Sequence, residues 1–348
     1  MIKYVKGNLL EAKVEALVNT VNTVGVMGKG IALQFKEAFP KNFKAYAKAS
    51  KLGKVELGKI FVYELAELDG PRFIVNFPTK KHWRGKARLE DIEKGLQDLI
   101  SFVRKENIRS VAIPPLGCGS GGLEWCAVQQ LIERAFKKVS GVQVLVYPPQ
   151  ESPQAREMKV ATNRPPWRTH RAAFILALAR YLASGLELTR IEIQKLAYFL
   201  QCAGEEMKLE FSKGKYGPYA EKLNFVLQNF EGHFIRGYGD RTANTYVTVL
   251  ADAVREAREI LESNDEARIR LEQVSKLIDG FESPYGLELL GTVHWIATKE
   301  DPQARSDVNA AINDVQRWSS LKKLKFQPSH IQIAWQRLKE QGWFEHTI

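Results

Sequence analysis

The sequence predicts two domains: an α/β fold, a mixed sheet sandwiched by helices, over residues 1–150, and a mainly α-helical domain over residues 168–348. Three observations predict this. Strand-like and helix-like segments alternate through the first part, the pattern of a sheet covered by helices. Two glycine runs, at 25–30 and 117–122, each stand between a strand pattern and a helix pattern. Beyond a proline-rich stretch, 151–167, apolar residues recur at helical spacing almost to the last residue. With 348 residues, each part has enough chain to bury its own core.

The elements follow in order. IKYVKG reads as a first strand, and VEALVNTVN as a second, apolar one that ends in Asn22. GVMGKG leads into the helical pattern IALQFKEAF, which stops at Pro40, and KNFKAYAKASKL forms a second helix ending at Gly53. KIFVYEL and RFIVNFPT read as neighbouring strands joined by a turn containing Asp69-Gly70, with Lys80 just beyond the second. LEDIEKGLQDLISFVRKE is an amphipathic helix, VAIPPLG a buried strand, EWCAVQQLIERAFKK a helix opened by GCGSGG, and VQVLVYPP a last strand.

The stretch 151–167 lacks apolar periodicity and reads as a linker. Past it come AAFILALARYLA, IEIQKLAYFLQCAGEEM, EKLNFVLQNF, ADAVREAREILES, EARIRLEQVSKLIDGF and HIQIAWQRLKEQ, all helical, with one strand-like interruption, TYVTVL. No repeat or low-complexity tract is present.

Composition narrows the class. Hydrophobic content of 45% and charged content of 26% suit a globular protein. No apolar run reaches the ~18–20 residues of a membrane span, and the charged start lacks a signal-peptide core, so a cytoplasmic protein with no membrane partner is expected. Cys118, Cys126 and Cys202 are scattered, which gives neither a disulfide framework nor a zinc pattern; no metal is expected. Residues 1–150 hold 24 Lys+Arg against 14 Asp+Glu, a balance of +10, whereas residues 151–348 hold 27 against 26. The first domain therefore carries the excess positive charge, which suits a polyanion as well as a merely solvated surface.

A glycine run between strand and helix aims main-chain N–H groups at an anion and lets the backbone approach it. GCGSGG also fits G-x-G-x-x-G, the nicotinamide-binding fingerprint. That reading is disfavoured because the run follows a late strand and no acidic residue ends the next one. Two such loops suit a diphosphate held between them.

Together, GNLLEAKVEALVNTVNTVGVMGKGIALQF and VAIPPLGCGSGGLEW resemble the macrodomain superfamily over residues 1 to about 150. The resemblance implies an ADP-ribose site and no cofactor. Asn8 and Leu9 would lie beside the adenine and Asn22 at the distal ribose. Met27, Gly28, Lys29 and Gly30, with Gly117, Cys118, Gly119, Ser120, Gly121 and Gly122, would clasp the diphosphate and ribose. Tyr147 would close the adenine side.

The loop MGKGIA with FPTKKHW is similar to the branch that removes ADP-ribose through a lysine, the DarG family of antitoxins, whose partner DarT toxins attach ADP-ribose to thymidine in single-stranded DNA. The family's lysine maps onto Lys80. An amine desolvated or set near Lys81 and Lys86 has a lowered pKa and can attack an anomeric carbon or form a Schiff base with the opened ribose. Related deglycosylases carry an aspartate after Gly-Cys-Gly; here Ser120, Gly121 and Gly122 follow, so water, a substrate phosphate or His82 is left as proton donor. Glu124 reads as a charge at a helix start. Lys81, His82, Trp83 and Arg84, with Lys86 and Arg88, form a cluster suited to flanking DNA phosphates, and Trp83 or Trp125 to stacking on bases.

In the second domain, IEIQKLAYFLQCAGEEMKLEF followed by KYGPY resembles the SocA-like or Panacea antitoxin domain. This implies sequestration of a cognate DarT-like DNA ADP-ribosyltransferase toxin, with acidic stretches such as ESNDE suited to a basic groove. Two other readings stand beside the enzyme: a non-catalytic ADP-ribose reader, and a hydrolase of protein-linked ADP-ribose.

Overall fold

The structure, a computed structural model, describes residues 1–65, 70–151, 153–241 and 246–346. Asp69 of the expected turn and Thr245 of TYVTVL lie outside them. The chain divides into two compact units: Met1–Asn163 with a short segment at 239–241, and a second that begins at Arg164.

The first unit is built on a six-stranded sheet of β1 (Ile2–Tyr4), β2 (Ala16–Asn22), β3 (Phe61–Glu64), β4 (Phe73–Lys80), β5 (Ser110–Ile113) and β6 (Gln143–Val146), in the order β1-β6-β5-β2-β4-β3. All neighbours are parallel except β3, which runs antiparallel to β4. All eight residues of β4 are buried, as a strand covered on both faces requires. On one face α3 (Leu89–Lys105) and α4 (Trp125–Lys137) bury Ile92, Leu96, Leu99, Val128 and Ile132. On the other, α1 (Gly30–Ala38) and α2 (Pro40–Lys51) lie over Leu17 and Ile74 through Phe35 and over Val21 through Tyr46. Pro40 separates the two helices by opening α2 at its first position, where its missing N–H costs nothing.

Three differences from the sequence reading bear on the site. Lys80 is the last residue of β4 and not a loop residue, so its backbone is fixed by the sheet. Helix α4 starts at Trp125, three residues after the glycine run, so GCGSGG is a free-standing loop. The stretch read as a linker packs on the first unit as far as Asn163: Ala155 and Met158 are buried, and Ala161 N–H donates to Glu37 O at 2.8 Å.

The second unit is helical: α5 (Thr169–Ala183), α6 (Arg190–Cys202), α7 (Glu221–Phe230), α8 (Ala251–Glu262), α9 (Asp265–Ile278), α10 (Pro284–Trp295), α11 (Val308–Trp318), α12 (Ser320–Lys325) and α13 (Pro328–Glu340). Between α6 and α8 lie two small antiparallel pairs, β7 (Ser212–Gly214) with β8 (Gly217–Tyr219), and β9 (Ile235–Arg236) with β10 (Thr248–Val249). Helix α10 was not anticipated because it has no polar face: every residue from Gly286 to Trp295 is buried. Within this core, the Tyr198 hydroxyl donates to His294 Nδ1 at 2.7 Å, and His294 Nε2 donates to Trp343 O at 2.8 Å. No helix among the described residues is long and apolar enough to cross a membrane.

Candidate active site

Strands β2, β4 and β5 run parallel, so their carboxyl ends, Asn22, Lys80 and Ile113, come to the same edge. Ligands of open α/β sheets bind in the crevice at such ends. A register shift between Val21 and Asn22 brings Asn22 opposite Lys80. The bulge re-aims the last residue of a strand that is otherwise committed to the core.

Lys80 is only 9% exposed, and its Nζ donates to Ser120 O at 3.0 Å. Burial, then the charge of Lys86, push its pKa below the usual lysine value. Lys86 reaches the same loop: a Cβ built on Gly122 would stand 3.0 Å from its Nζ. Both ammonium groups thus lie against residues 120–122. Thr23 N–H donates to Lys80 O (3.2 Å) and Lys81 O (3.1 Å), pinning the turn after β4 to the turn after β2.

The glycine loop is shaped by close approaches. A Cβ on Gly121 would lie 2.3 Å from Gly117 O and 2.9 Å from Ala87 Cβ; one on Gly117 would lie 2.9 Å from Leu123 Cδ1. Gly121 O accepts from Ala87 N–H at 3.0 Å, and Gly122 N–H donates to Gly119 O at 3.0 Å. Gly117 (φ 72°) and Gly122 (φ 76°) occupy the left-handed region that glycine tolerates without strain. Gly119 differs: a Cβ there would meet nothing within 4 Å, so this residue faces open space. Burial raises the Cys118 thiol to about 11, which removes it as a thiolate nucleophile.

On the other loop, the Asn22 carboxamide is engaged locally: Nδ2 donates to Val26 O (2.6 Å), and Oδ1 accepts from Val24 N–H (3.1 Å) and Val26 N–H (3.3 Å). It therefore shapes the turn that leads to Met27–Gly30. Tyr46, whose hydroxyl burial raises to about 12, donates to Asn22 O at 2.5 Å. The Met27 side chain is buried, with Asn19 Nδ2 3.8 Å from its Sδ, which leaves its main chain for the site. Gly30 takes φ 61° at the start of α1, where its N–H donates to Asp240 O (2.9 Å) and Gln34 Nε2 donates to the Asp240 carboxylate (2.7 Å). Lys29 precedes it as the N-cap of α1, in extended backbone and without a side-chain cap bond.

The residues expected at the adenine come together in one cluster. Leu9 and Tyr147 are both buried with Phe35. Asn8 caps the 3-10 turn that carries Leu9, its Oδ1 accepting from Leu10 N–H at 3.0 Å. His82, Trp83 and Arg84 form a stack beyond Lys80, with the His82 and Trp83 rings 4.7 Å apart and the Arg84 guanidinium 4.3 Å from the Trp83 centroid. Lys81, His82, Trp83 and Arg84 are all exposed, Trp83 at 42%.

Sequence reasoning missed a support behind the site. Asn19, Asn42 and Asn76 are buried between β2, α2 and β4, with Asn76 Nδ2 donating to Asn42 Oδ1 (2.7 Å) and Asn19 Nδ2 to Asn76 Oδ1 (3.1 Å). Its signal was an asparagine in mid-strand, Asn19 within ALVNTVN and Asn76 within FIVNFPTK, at buried positions otherwise mostly apolar. Among the described residues no His, Cys, Asp or Glu group is arranged to hold a metal.

These features define a macrodomain: a mixed, mostly parallel sheet with helices on both faces and two glycine loops at the carboxyl ends of its strands, one of them held by a buried amine. A family model described as "Macro domain" matches residues 18–132. Two curated relatives, each named DNA ADP-ribosyl glycohydrolase, extend the likeness along the whole chain. The Thermus aquaticus protein is 47% identical over 98% of this chain and 94% of its own length, and the Mycobacterium tuberculosis protein 43% identical over 97% and 99%. The chain belongs to this glycohydrolase family, DarG, and is a hydrolase. The solved macrodomain of M. tuberculosis DarG is 57% identical, covers 43% of this chain and 99% of its own, and has a TM-score of 0.43. A Thermosipho africanus protein named as a fusion of a DNA ADP-ribosyl transferase with a DNA ADP-ribosyl glycohydrolase is 35% identical over 43% of this chain and 42% of its own length.

Proposed function

We propose that this protein is an antitoxin that hydrolyses the N-glycosidic bond joining ADP-ribose to thymidine in single-stranded DNA, with Lys80 as its catalytic residue. The observation that carries the reading is the placement of the Lys80 amine, fixed at the end of β4 opposite Asn22 and held against Ser120 O with a lowered pKa. A lysine with a lowered pKa supplies more neutral amine near pH 7, and only the neutral form has a lone pair to give. In the proposed reaction this lone pair attacks the anomeric carbon. The carbon–nitrogen bond to thymine breaks, and the base nitrogen leaves with the bonding pair and takes up a proton. Water then releases ADP-ribose and returns the amine. The exposed loop at Gly119 and the Met27–Gly30 turn would hold the diphosphate, and the stack of His82, Trp83 and Arg84 with Lys81 would meet the flanking strand.

The names of the relatives support the substrate class, and the fused transferase supports a DarT-like toxin as partner. Toxin binding is assigned to the second unit, which has its own core and near-neutral charge. The test is release of free ADP-ribose from an ADP-ribosylated thymidine oligonucleotide by the full chain, with an ADP-ribosylated peptide in parallel. Release from DNA is expected. Binding without release would establish a reader, and release from the peptide alone a protein hydrolase.

A further inference from the structure

Helix α1 is closed at its start by a segment from far along the chain. Residues 239–241 belong to the first unit, although Gln34 and Asp240 stand 206 positions apart. Gly30 N–H donates to Asp240 O at 2.9 Å, and one turn further on Gln34 Nε2 donates to the Asp240 carboxylate at 2.7 Å. Both side chains are buried, Asp240 at 2% exposure and Gln34 at 6%. Gly239 presses on the stretch that follows the sheet: a Cβ there would stand 3.0 Å from Ala155 Cβ. Gly239 (φ 58°) and Arg241 (φ 66°) both lie in the left-handed region, which an arginine occupies only where its surroundings hold it.

This contact divides the turn before α1 into two parts. Among the described residues, the N–H groups of Met27, Gly28 and Lys29 meet no main-chain acceptor, which leaves them for a ligand. The Gly30 N–H is spent on Asp240, so Gly30 serves the turn through its conformation, φ 61°. Lys29 makes no side-chain cap bond, so α1 does not fix its own start. The turn is instead held from both ends, by the Asn22 carboxamide on Val24 and Val26 and by Asp240 on Gly30. A turn ordered before the ligand arrives loses less freedom on binding.

We infer that Asp240 is a positioning residue for ADP-ribose: it sets the Met27–Gly30 turn through Gly30 and Gln34 and leaves the N–H groups of Met27, Gly28 and Lys29 to the diphosphate. The inference rests on the assignment of that turn to the diphosphate under the proposed function.

The test uses the full chain, with calorimetric titration of ADP-ribose beside steady-state release from an ADP-ribosylated oligonucleotide. Asp240→Ala removes the acceptor of the Gln34 bond, and Gln34→Met removes its donor at similar volume. Each should raise Kd and KM about three- to tenfold. The kcat should stay within about twofold of the parent, because Lys80 is fixed by β4 and not by this turn. Asp240→Asn keeps an acceptor for Gln34 and should return Kd to the parental value, whereas a role in stability alone would lower Tm and leave Kd unmoved. In the parent chain, hydrogen exchange should find the Gly30 amide protected both without ADP-ribose and with it. The inference is overturned by parental Kd in both Asp240→Ala and Gln34→Met, by tighter binding in Asp240→Ala, which would make the segment a competitor of the ligand, or by loss of Gly30 protection when ADP-ribose binds. A parent chain that takes up no ADP-ribose would instead sink the assignment of the turn, and the inference with it.

Discussion

Gly119 and Gly121 lie two residues apart in one loop, yet an added methyl group is expected to act on them in opposite ways. In Gly121→Ala the new Cβ would stand 2.3 Å from Gly117 O and 2.9 Å from Ala87 Cβ. Neither neighbour is the far end of a flexible chain, and Ala87 is also tied to Gly121 O by its own N–H. Overpacking of this kind costs about 1–3 kcal/mol, which lowers the Tm of a unit this size by roughly 2–4 °C for each kcal/mol. In Gly119→Ala the methyl group meets nothing within 4 Å, so the folded protein pays no steric cost. If this open face is where the diphosphate approaches, the methyl group occupies the ligand's space. The loss is then at least tenfold in ADP-ribose affinity, about 1.4 kcal/mol. The assay is a pair of measurements on each variant, thermal unfolding and calorimetric titration with ADP-ribose. Gly121→Ala should lose stability, and Gly119→Ala should lose affinity at unchanged Tm. Parental affinity in Gly119→Ala would refute the assignment of this loop to the ligand.

Other outcomes follow from the same geometry. Gly95→Ala places a Cβ 2.3 Å from Cζ of the fully buried Phe77, so the gain in helix propensity is outweighed by a clash of about 1–3 kcal/mol, read from denaturant unfolding. Tyr46→Phe leaves Asn22 O without its phenol donor and should cost about 1 kcal/mol of stability, with the turn to Met27 loosened as seen by hydrogen exchange. His294, held near 4 by burial, is depressed below its unfolded value of about 6.5. Its contribution to stability is therefore complete above pH 6.5 and is lost as pH falls towards 4, by up to about 3 kcal/mol. A His294 imidazole that is already protonated at pH 5.5 in an NMR titration would contradict this.

The architecture was largely legible because the chain states it twice, in apolar strands that alternate with amphipathic helices and in glycine runs at the strand ends. Where the reading slipped, the cause was physical. Pairing with β2 extends β4 to Lys80, and no local pattern in FPTKKHW reveals a hydrogen-bonding partner nearly sixty residues earlier. Helix α10 escaped because a helix buried on all sides has no amphipathic period. Residues 151–163 looked like a linker by composition, yet Ala155 and Met158 supply enough apolar surface to pack. Within the site, residue types were readable but their division of labour was not: Asn22 is occupied with its own turn, and Leu9 and Tyr147 with the core. Lys86 counts through a distance to Gly122 that only the folded loop supplies.

The central claim is that Lys80 performs chemistry and does not merely hold the ligand. The direct measurement is single-turnover release of ADP-ribose from an ADP-ribosylated single-stranded oligonucleotide by Lys80→Ala, beside its Kd for ADP-ribose. Release should fall at least a hundredfold while Kd changes less than threefold, and in the parent chain the rate should rise with pH as the Lys80 amine loses its proton. Release by Lys80→Ala at the parental rate, or an equal loss in rate and affinity, would contradict the account.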